Sequence, residues 1–244
     1  MKNKPLRLCV IGNSHVAALK TAWDRLKPDR PDFSLTFFAA KTILLRHLKI
    51  EGGTLEPTDE SVADMLSYTS GGQRRIEVGA YGQFLVSGLQ FKLPALARHY
   101  SAAVAEAALR KAYEKSLNAT IAGMLRTLTP AAIHIAHNPL PCRTDVKLHK
   151  QEYRSYADTL GLLNHLFEPK KLAFLPQPEE TVEEIWFSRP EFTQDAPRLA
   201  VKEIMEGARH SEAGTHLNGD FGVIYLNALL RHIRSGDVRA QRHG

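Results

Sequence analysis

Cysteine is scarce in this chain: its 244 residues include two, Cys9 in a predicted strand and Cys142 in a predicted loop. The two lie far apart, and no CxxC pair occurs. The sequence therefore offers neither a framework of paired cysteines nor a cysteine-based metal motif. This usage is typical of a reducing compartment, and we predict a cytoplasmic protein.

Long apolar runs are also lacking. No stretch approaches the roughly 20 apolar residues needed to span a membrane, so we expect no membrane partner. The N-terminus opens on basic residues, but its apolar run is only about five residues long, shorter than the core of a signal peptide. We interpret this run as the first strand of the mature protein.

The common cofactor and metal motifs are absent. There is no GxGxxG or GxxxxGK[ST] loop for phosphates, no HExxH zinc motif and no GxSxG elbow. His134 and His137 lie three apart across a predicted strand end, where successive side chains alternate faces, and make a poor metal pair. We predict that the protein uses no cofactor and no metal.

The composition is that of a globular domain, with 43% hydrophobic and 24% charged residues. We predict one domain over 1–244, with a basic tail at about 235–244. We also predict an insertion at about 41–80, made of loops with a little added structure and lying over one edge of the sheet. The net charge of +6 is modest. Because no nucleic-acid-binding motif accompanies the basic tail, we interpret it as a solvated terminus and expect no nucleic acid partner. The sequence leaves the oligomeric state open.

Short apolar runs alternate with amphipathic helical patterns along the chain. This alternation predicts an α/β protein whose parallel sheet is covered on both faces. We expect a three-layer, flavodoxin-like α/β/α fold with five parallel strands in the order 2-1-3-4-5. The predicted strands are Leu8–Ile11, Phe33–Ala40, Gln83–Leu89, Ala131–Ala136 and Lys171–Leu175. The predicted helices start near Val16, cover Ser101–Leu128, 149–168 and Leu217–Ile233, and include a polar helical stretch near 179–187.

The segment Leu6–Trp23 joins the first strand to the first helix through Gly12-Asn13-Ser14-His15. This turn lies at the carboxyl edge of the predicted sheet, where open α/β folds bind ligands. Ser14 would present its hydroxyl there, next to the free N–H groups of a helix N-terminus. The position suits an alkoxide nucleophile. Serine and asparagine are also ordinary helix caps, so a purely structural role stays open.

Four residues lie at this carboxyl edge of the sheet in the predicted fold. Ser14, Gly88 and Asn138 each follow a strand, and His216 precedes the last helix. Acyl transfer needs a hydroxyl nucleophile, a base and donors for the oxyanion. Ser14 supplies the hydroxyl and His216 the base. The amides of Ser14 and Gly88 and the side-chain amide of Asn138 are the candidate oxyanion donors.

This pattern resembles the SGNH (GDSL-like) hydrolase superfamily. The family's GDSH motif is similar to Gly12–His15, and its oxyanion glycine matches Gly88 in FLVSGL. Its GxND motif has a degraded counterpart in Ala136–Pro139, its DxxH motif in Ala213–His216, and its last strand in Phe174–Pro178. The resemblance implies a serine esterase that acts on O-acyl esters, particularly O-acetyl groups of small molecules or carbohydrates. We predict that four neighbouring residues contact the substrate: Asn13, His15, His137 and Asn218.

One departure from the family bears on catalysis. Ala213 stands where the family has its catalytic aspartate, and Glu212 lies one residue away. Either Glu212 completes an imperfect triad, or Ser14 and His216 act as a dyad. Two alternatives follow: an O-acyltransferase that uses the same residues, and a non-catalytic binding or scaffold module on the same fold.

Overall fold

The computed structural model describes residues 4–142, 152–183, 186–196 and 216–241, with side chains to 235 in the last range. The strands are β1 Leu6–Gly12, β2 Phe33–Ala39, β3 Leu48–Glu51, β4 Thr54–Pro57, β5 Ile76–Glu77, β6 Gln83–Ser87, β7 Ala132–Ala136, β8 Leu172–Leu175, β9 Val182–Glu183 and β10 Phe187–Ser188. The helices are α1 Val16–Leu26, α2 Glu60–Ser70, α3 Ala102–Glu114, α4 Leu117–Leu128, α5 Tyr156–Phe167 and α6 Gly219–Gln241. None of the helices in these ranges combines the length and apolar character needed to cross a membrane.

Five strands form the central sheet in the order β2-β1-β6-β7-β8, and every neighbouring pair is parallel. This arrangement confirms the predicted α/β/α fold and strand order. The carboxyl ends of β1, β6 and β7 lie side by side, since Gly12 pairs with Ser87 and Ser87 with Ala136. The turns after these strands therefore meet at one edge of the sheet.

Both faces of the sheet are buried, as continuous apolar strands require. Along β1, Cys9 and Ile11 face a core that includes residues of α2, α3, α4 and α5. Leu8 and Val10 face the opposite core, formed with α1 and α6. The helices thus form two layers around the sheet.

Residues 41–80 contain more regular structure than the predicted loops. They form α2 and the small antiparallel sheet β3-β4-β5. Asp59 caps α2 by accepting from the Ser61 N–H, and Gly71 ends the helix in a left-handed conformation. Leu55, Leu66 and Ile76 are fully buried in the same core as Cys9 and Ile11. The segment is therefore a packed crossover between β2 and β6.

The helix predicted over Ser101–Leu128 is two helices, because the chain turns at Lys115 and Ser116. The Ser116 hydroxyl donates to the Tyr113 carbonyl at the end of α3. The Leu117 N–H donates to the carbonyl of Leu89, in the turn after β6. The break therefore docks the start of α4 against the turn that carries Gly88.

Three other predicted helices differ from the structure. Residues 179–183 and 186–188 form a short 3-10 turn followed by the β9–β10 hairpin, so the polar helix predicted near 179–187 is wrong. The last helix, predicted to end at Ile233, continues to Gln241. Much of the predicted tail is therefore helical. The helix predicted over 149–168 begins at Tyr156, and residues 149–151 lie outside the described ranges.

Candidate active site

A glycine allows the turn Gly12–His15 to form. We call it the nucleophile turn, after the role predicted for Ser14. A Cβ at Gly12 would lie 2.4 Å from Cγ2 of Val16 and 2.6 Å from the carbonyl oxygen of Ser87. Only a residue without a side chain lets the end of β1 approach both β6 and the start of α1 so closely. Ser14 follows two residues later, just before α1.

Ser14 and His216 are in hydrogen-bond contact, although they are 202 residues apart in the chain. His216 Nε2 lies 2.8 Å from Ser14 Oγ. Within the described residues, the Ser14 N–H donates to no other group. The structure thus brings together a hydroxyl, an imidazole and a free amide beside a helix N-terminus. Glu212, the alternative third residue of a triad, lies outside the described residues, as does Ala213.

Asn13 organises the turn from inside and does not point toward solvent. Its side chain is buried, its Nδ2 donates to Thr42 Oγ1 at 3.0 Å, and its Oδ1 accepts from the His15 N–H at 3.2 Å. These bonds tie the loop after β2 to the nucleophile turn. Its predicted substrate contact stays a prediction beside this internal role.

His15 lies next to His216, the predicted base. The centroids of the His15 and His216 rings are 5.0 Å apart, with a 33° angle between the planes. Burial and the nearby His216 ring lower the pKa of His15 to about 4. His15 is therefore a neutral imidazole at neutral pH, in contact with the base.

Gly88 adopts a left-handed backbone conformation that residues with a side chain rarely adopt, with φ +79°. A Cβ there would lie 2.7 Å from Oδ1 of Asn13, so the turn after β6 packs directly on the nucleophile turn. The Gly88 N–H, predicted to face the oxyanion, donates to the Ala136 carbonyl at 3.0 Å. In this structure Gly88 supplies close packing, and its N–H is committed to that carbonyl.

Asn138 follows β7, and a backbone hydrogen bond fixes its position. Its N–H donates to the Phe91 carbonyl at 2.6 Å, while its side-chain nitrogen makes no hydrogen bond with a described residue. Its Oδ1 is buried without a partner among the described residues. The side-chain amide of Asn138 is therefore an available donor.

His137 is buried next to Asn138, and its predicted contact with substrate stays a prediction. The ring is buried, with Nδ1 on the Asn138 carbonyl oxygen and Nε2 2.7 Å from the Tyr156 hydroxyl. Burial lowers its pKa. The Tyr156 hydroxyl also accepts from the Gln177 N–H at 2.6 Å, which links the turns after β7 and β8.

Asn218 caps α6. Its Oδ1 accepts from the N–H groups of Asp220 and Phe221, both at 3.1 Å, and its Nδ2 donates to the Glu191 carbonyl. The oxygen and the nitrogen of the amide are both hydrogen-bonded within the protein, and the predicted substrate contact of Asn218 stays a prediction. The cap fixes the start of α6 two residues after His216.

Sequence reasoning missed several supporting residues, above all Asn118. This side chain is fully buried, and its Nδ2 donates to the carbonyls of Val86 and Ala136 at the ends of β6 and β7. In the sequence it forms an Asn-Ala-Thr glycosylation pattern, which hides its internal role. Thr42, Tyr156 and Gln177 gave no sequence signal, because their contacts depend on the packing of distant loops. No group of three metal-ligating side chains occurs among the described residues.

Comparisons with known proteins add little. No protein-family model matches the chain, and no curated protein matches it. The periplasmic domain of a lipopolysaccharide acetyltransferase from Salmonella ser. Paratyphi A is 10% identical, with a TM-score of 0.47 over 95% of this chain and 85% of that domain. A gut microbial diltiazem-metabolizing enzyme is 11% identical, with a TM-score of 0.40 over 95% of this chain and 47% of that protein. Scores this low carry no argument about function.

Proposed function

We propose that this protein is a serine esterase of the SGNH type that acts on O-acyl esters, in particular O-acetyl groups of small molecules or carbohydrates. The observation that carries the proposal is the 2.8 Å contact between His216 Nε2 and Ser14 Oγ. A base within hydrogen-bond reach of a hydroxyl is the geometric requirement for an activated serine nucleophile. The substrate class rests on the family resemblance of the motifs.

In the proposed reaction, His216 Nε2 takes the proton of Ser14 as Oγ attacks the ester carbonyl carbon. The Ser14 N–H and the Asn138 side-chain amide donate to the resulting oxyanion. Protonated His216 then gives its proton to the leaving alcohol, and the acyl group remains on Ser14. A water molecule, deprotonated by His216, attacks this acyl-enzyme and releases the acid and free Ser14. A sugar hydroxyl in place of water would make the same chemistry an acyl transfer.

The direct test combines an active-site label with turnover. Wild-type protein is expected to react with a fluorophosphonate probe at Ser14 and to hydrolyse 4-nitrophenyl acetate. Ser14→Ala should abolish both, and His216→Ala should lower both at least about 10³-fold, as expected for the base of a serine hydrolase. Ser67→Ala on α2 and His165→Ala on α5 are matched controls outside the site and should keep wild-type rates.

Two results decide between the alternatives. Undiminished turnover in purified Ser14→Ala protein would overturn the proposal, and a folded wild-type protein without labelling or turnover would favour the binding module. Product analysis with added mono- and oligosaccharide acceptors separates hydrolysis from transfer. Release of free acetate at all acceptor concentrations is the expected result.

A further inference from the structure

We propose that His15 is a positioning residue for the base, and that the face of its ring holds the His216 imidazole with Nε2 directed at Ser14. The inference rests on the proposed function, because it assigns a partner to the base of that reaction. His15 itself touches neither the ester nor the nucleophilic oxygen in this scheme. It acts through His216.

The first support is the contact between the rings. The centroids are 5.0 Å apart and the planes are tilted by 33°, so the two rings form a tilted aromatic pair. This separation lies in the range of favourable aromatic pairs. A ring in this position limits rotation of the His216 side chain, and rotation would carry Nε2 away from Ser14 Oγ.

The second support is the way both residues are fixed. His15 immediately precedes α1, and its N–H donates to the buried Asn13 side chain. His216 stands two residues before Asn218, the cap of α6. The two helices are in direct contact, since a Cβ at Gly222 would lie 2.2 Å from the Ala18 carbonyl oxygen. The ring pair is therefore built on two packed helix starts.

The third support is the charge state of His15. Burial is the main cause that lowers its pKa to about 4, with the His216 ring second. When His216 accepts the proton of Ser14, the new imidazolium meets a neutral ring. An aromatic face attracts a cation, whereas a second imidazolium would repel it.

His15 also borders a small cavity. Its Nδ1 is shielded from solvent, and the ring lines a cavity of about 20 Å³ with Leu19 and Tyr225 among the other lining residues. Neither His15 Nδ1 nor the Tyr225 hydroxyl has a partner among the described residues. The ring of His15 therefore has little freedom to move away from His216.

The test compares two replacements of His15 at constant fold. His15→Ala removes the ring and is expected to lower kcat about 10–100-fold with KM within about twofold, since a misplacement near 1 Å costs a factor of this order. His15→Phe keeps a flat ring in the same place and should recover kcat to within about fivefold of wild type. Leu19→Ala is the matched control, because Leu19 lines the same cavity but is not part of the ring pair. Its kcat should stay at the wild-type value when measured well below its melting temperature.

Three outcomes would overturn the inference. One is a wild-type kcat in folded His15→Ala protein, and another is an equal loss of kcat in His15→Ala and His15→Phe. The third is an equal loss in His15→Ala and Leu19→Ala, which would show that loosening of the cavity is the cause. Failure of the positioning role alone leaves Ser14-dependent labelling of the wild-type protein intact. Absence of that labelling would overturn the proposed function and this inference together.

Discussion

At the scale of single residues, the candidate oxyanion donors differ in whether they already donate a hydrogen bond within the protein. The Gly88 N–H is bonded to the Ala136 carbonyl, whereas the amide nitrogen of Asn138 is available. Asn138→Ala is therefore expected to lower kcat of ester hydrolysis about 10²–10³-fold, the usual cost of one lost oxyanion donor. Asn138→Asp should be at least as damaging, since it puts a negative charge beside the developing oxyanion.

Steady-state kinetics on 4-nitrophenyl acetate measure this effect, and circular dichroism checks the fold. His165→Ala serves again as the unaffected control. If Asn138→Ala keeps kcat within threefold of wild type, the side-chain amide is not an oxyanion donor.

Gly88 allows a separate prediction about packing. A side chain at this position meets both a positive φ of 79° and a contact of 2.7 Å with Asn13. Gly71 has nearly the same φ, 81°, but a Cβ at Gly71 would meet no atom within 4 Å. Gly71→Ala should cost about 1 kcal/mol of unfolding free energy from backbone strain alone, and Gly88→Ala about 2–4 kcal/mol from strain plus overpacking. Equal values in urea denaturation would show that the Gly88–Asn13 contact relaxes without cost.

The meeting of Ser14 and His216 could be expected from the sequence because both stand at recognisable boundaries. Ser14 ends an apolar run before a helical pattern, and His216 precedes another helical pattern. The partner of the Gly88 N–H could not be predicted, since it depends on how far the turn after β6 bends toward the end of β7. The capping role of Asn218 could not be predicted for a related reason: a capping asparagine and a substrate-binding asparagine have the same sequence context.

At the scale of elements, the approach of α6 to α1 positions His216. A Cβ at Gly222 would lie 2.2 Å from the Ala18 carbonyl oxygen and 2.8 Å from the Ala22 Cβ, so the helices must move apart to accept alanine. Gly222→Ala is expected to lower the unfolding free energy by about 1–3 kcal/mol, as overpacking does. It should also reduce the rate of Ser14 labelling, because the displaced helix carries His216 with it.

Gly123→Ala is the matched control for this helix prediction. Gly123 lies within α4, and a Cβ there would meet no atom within 4 Å. Alanine should stabilise this helix by about 0.5–1 kcal/mol and leave labelling unchanged. A Gly222→Ala protein with wild-type stability and labelling rate would show that the α1–α6 contact does not set the position of the base.

Strands and helices were predicted best where the hydrophobic pattern of the sequence matches the residues that are buried in the core. The five sheet strands are short, mainly apolar runs, and their order is the one expected from the α/β alternation. The break between α3 and α4 was missed because the sequence has neither glycine nor proline there. It is fixed by a tertiary bond, from the Leu117 N–H to the Leu89 carbonyl. The β9–β10 hairpin was likewise missed, since each of its strands has only two residues.

At the scale of the whole molecule, buried histidines make stability depend on pH. The pKa values of His15 and His134 are lowered from 6.5 to about 4, in both cases mainly by burial. In the unfolded chain both rings gain a proton near pH 6.5, but in the folded protein only near pH 4. Between these values the unfolded state binds more protons, so the unfolding free energy falls as pH falls. Each ring contributes up to about 1.4 kcal/mol per pH unit in this window, and its full contribution is present above pH 6.5.

His134→Gln separates one of these contributions. The wild-type ring lies 2.7 Å from Gln83 Oε1 by its Nε2, so the variant loses a buried contact and is expected to be less stable at pH 7.5. Because it no longer carries the ionisable ring, its unfolding free energy should fall less steeply than that of wild type between pH 6.5 and 4.5, and the two curves should converge by about 2 kcal/mol. Urea midpoints at half-unit pH steps measure both slopes. Parallel curves for wild type and His134→Gln would mean that this ring is protonated equally readily in the folded and unfolded chains.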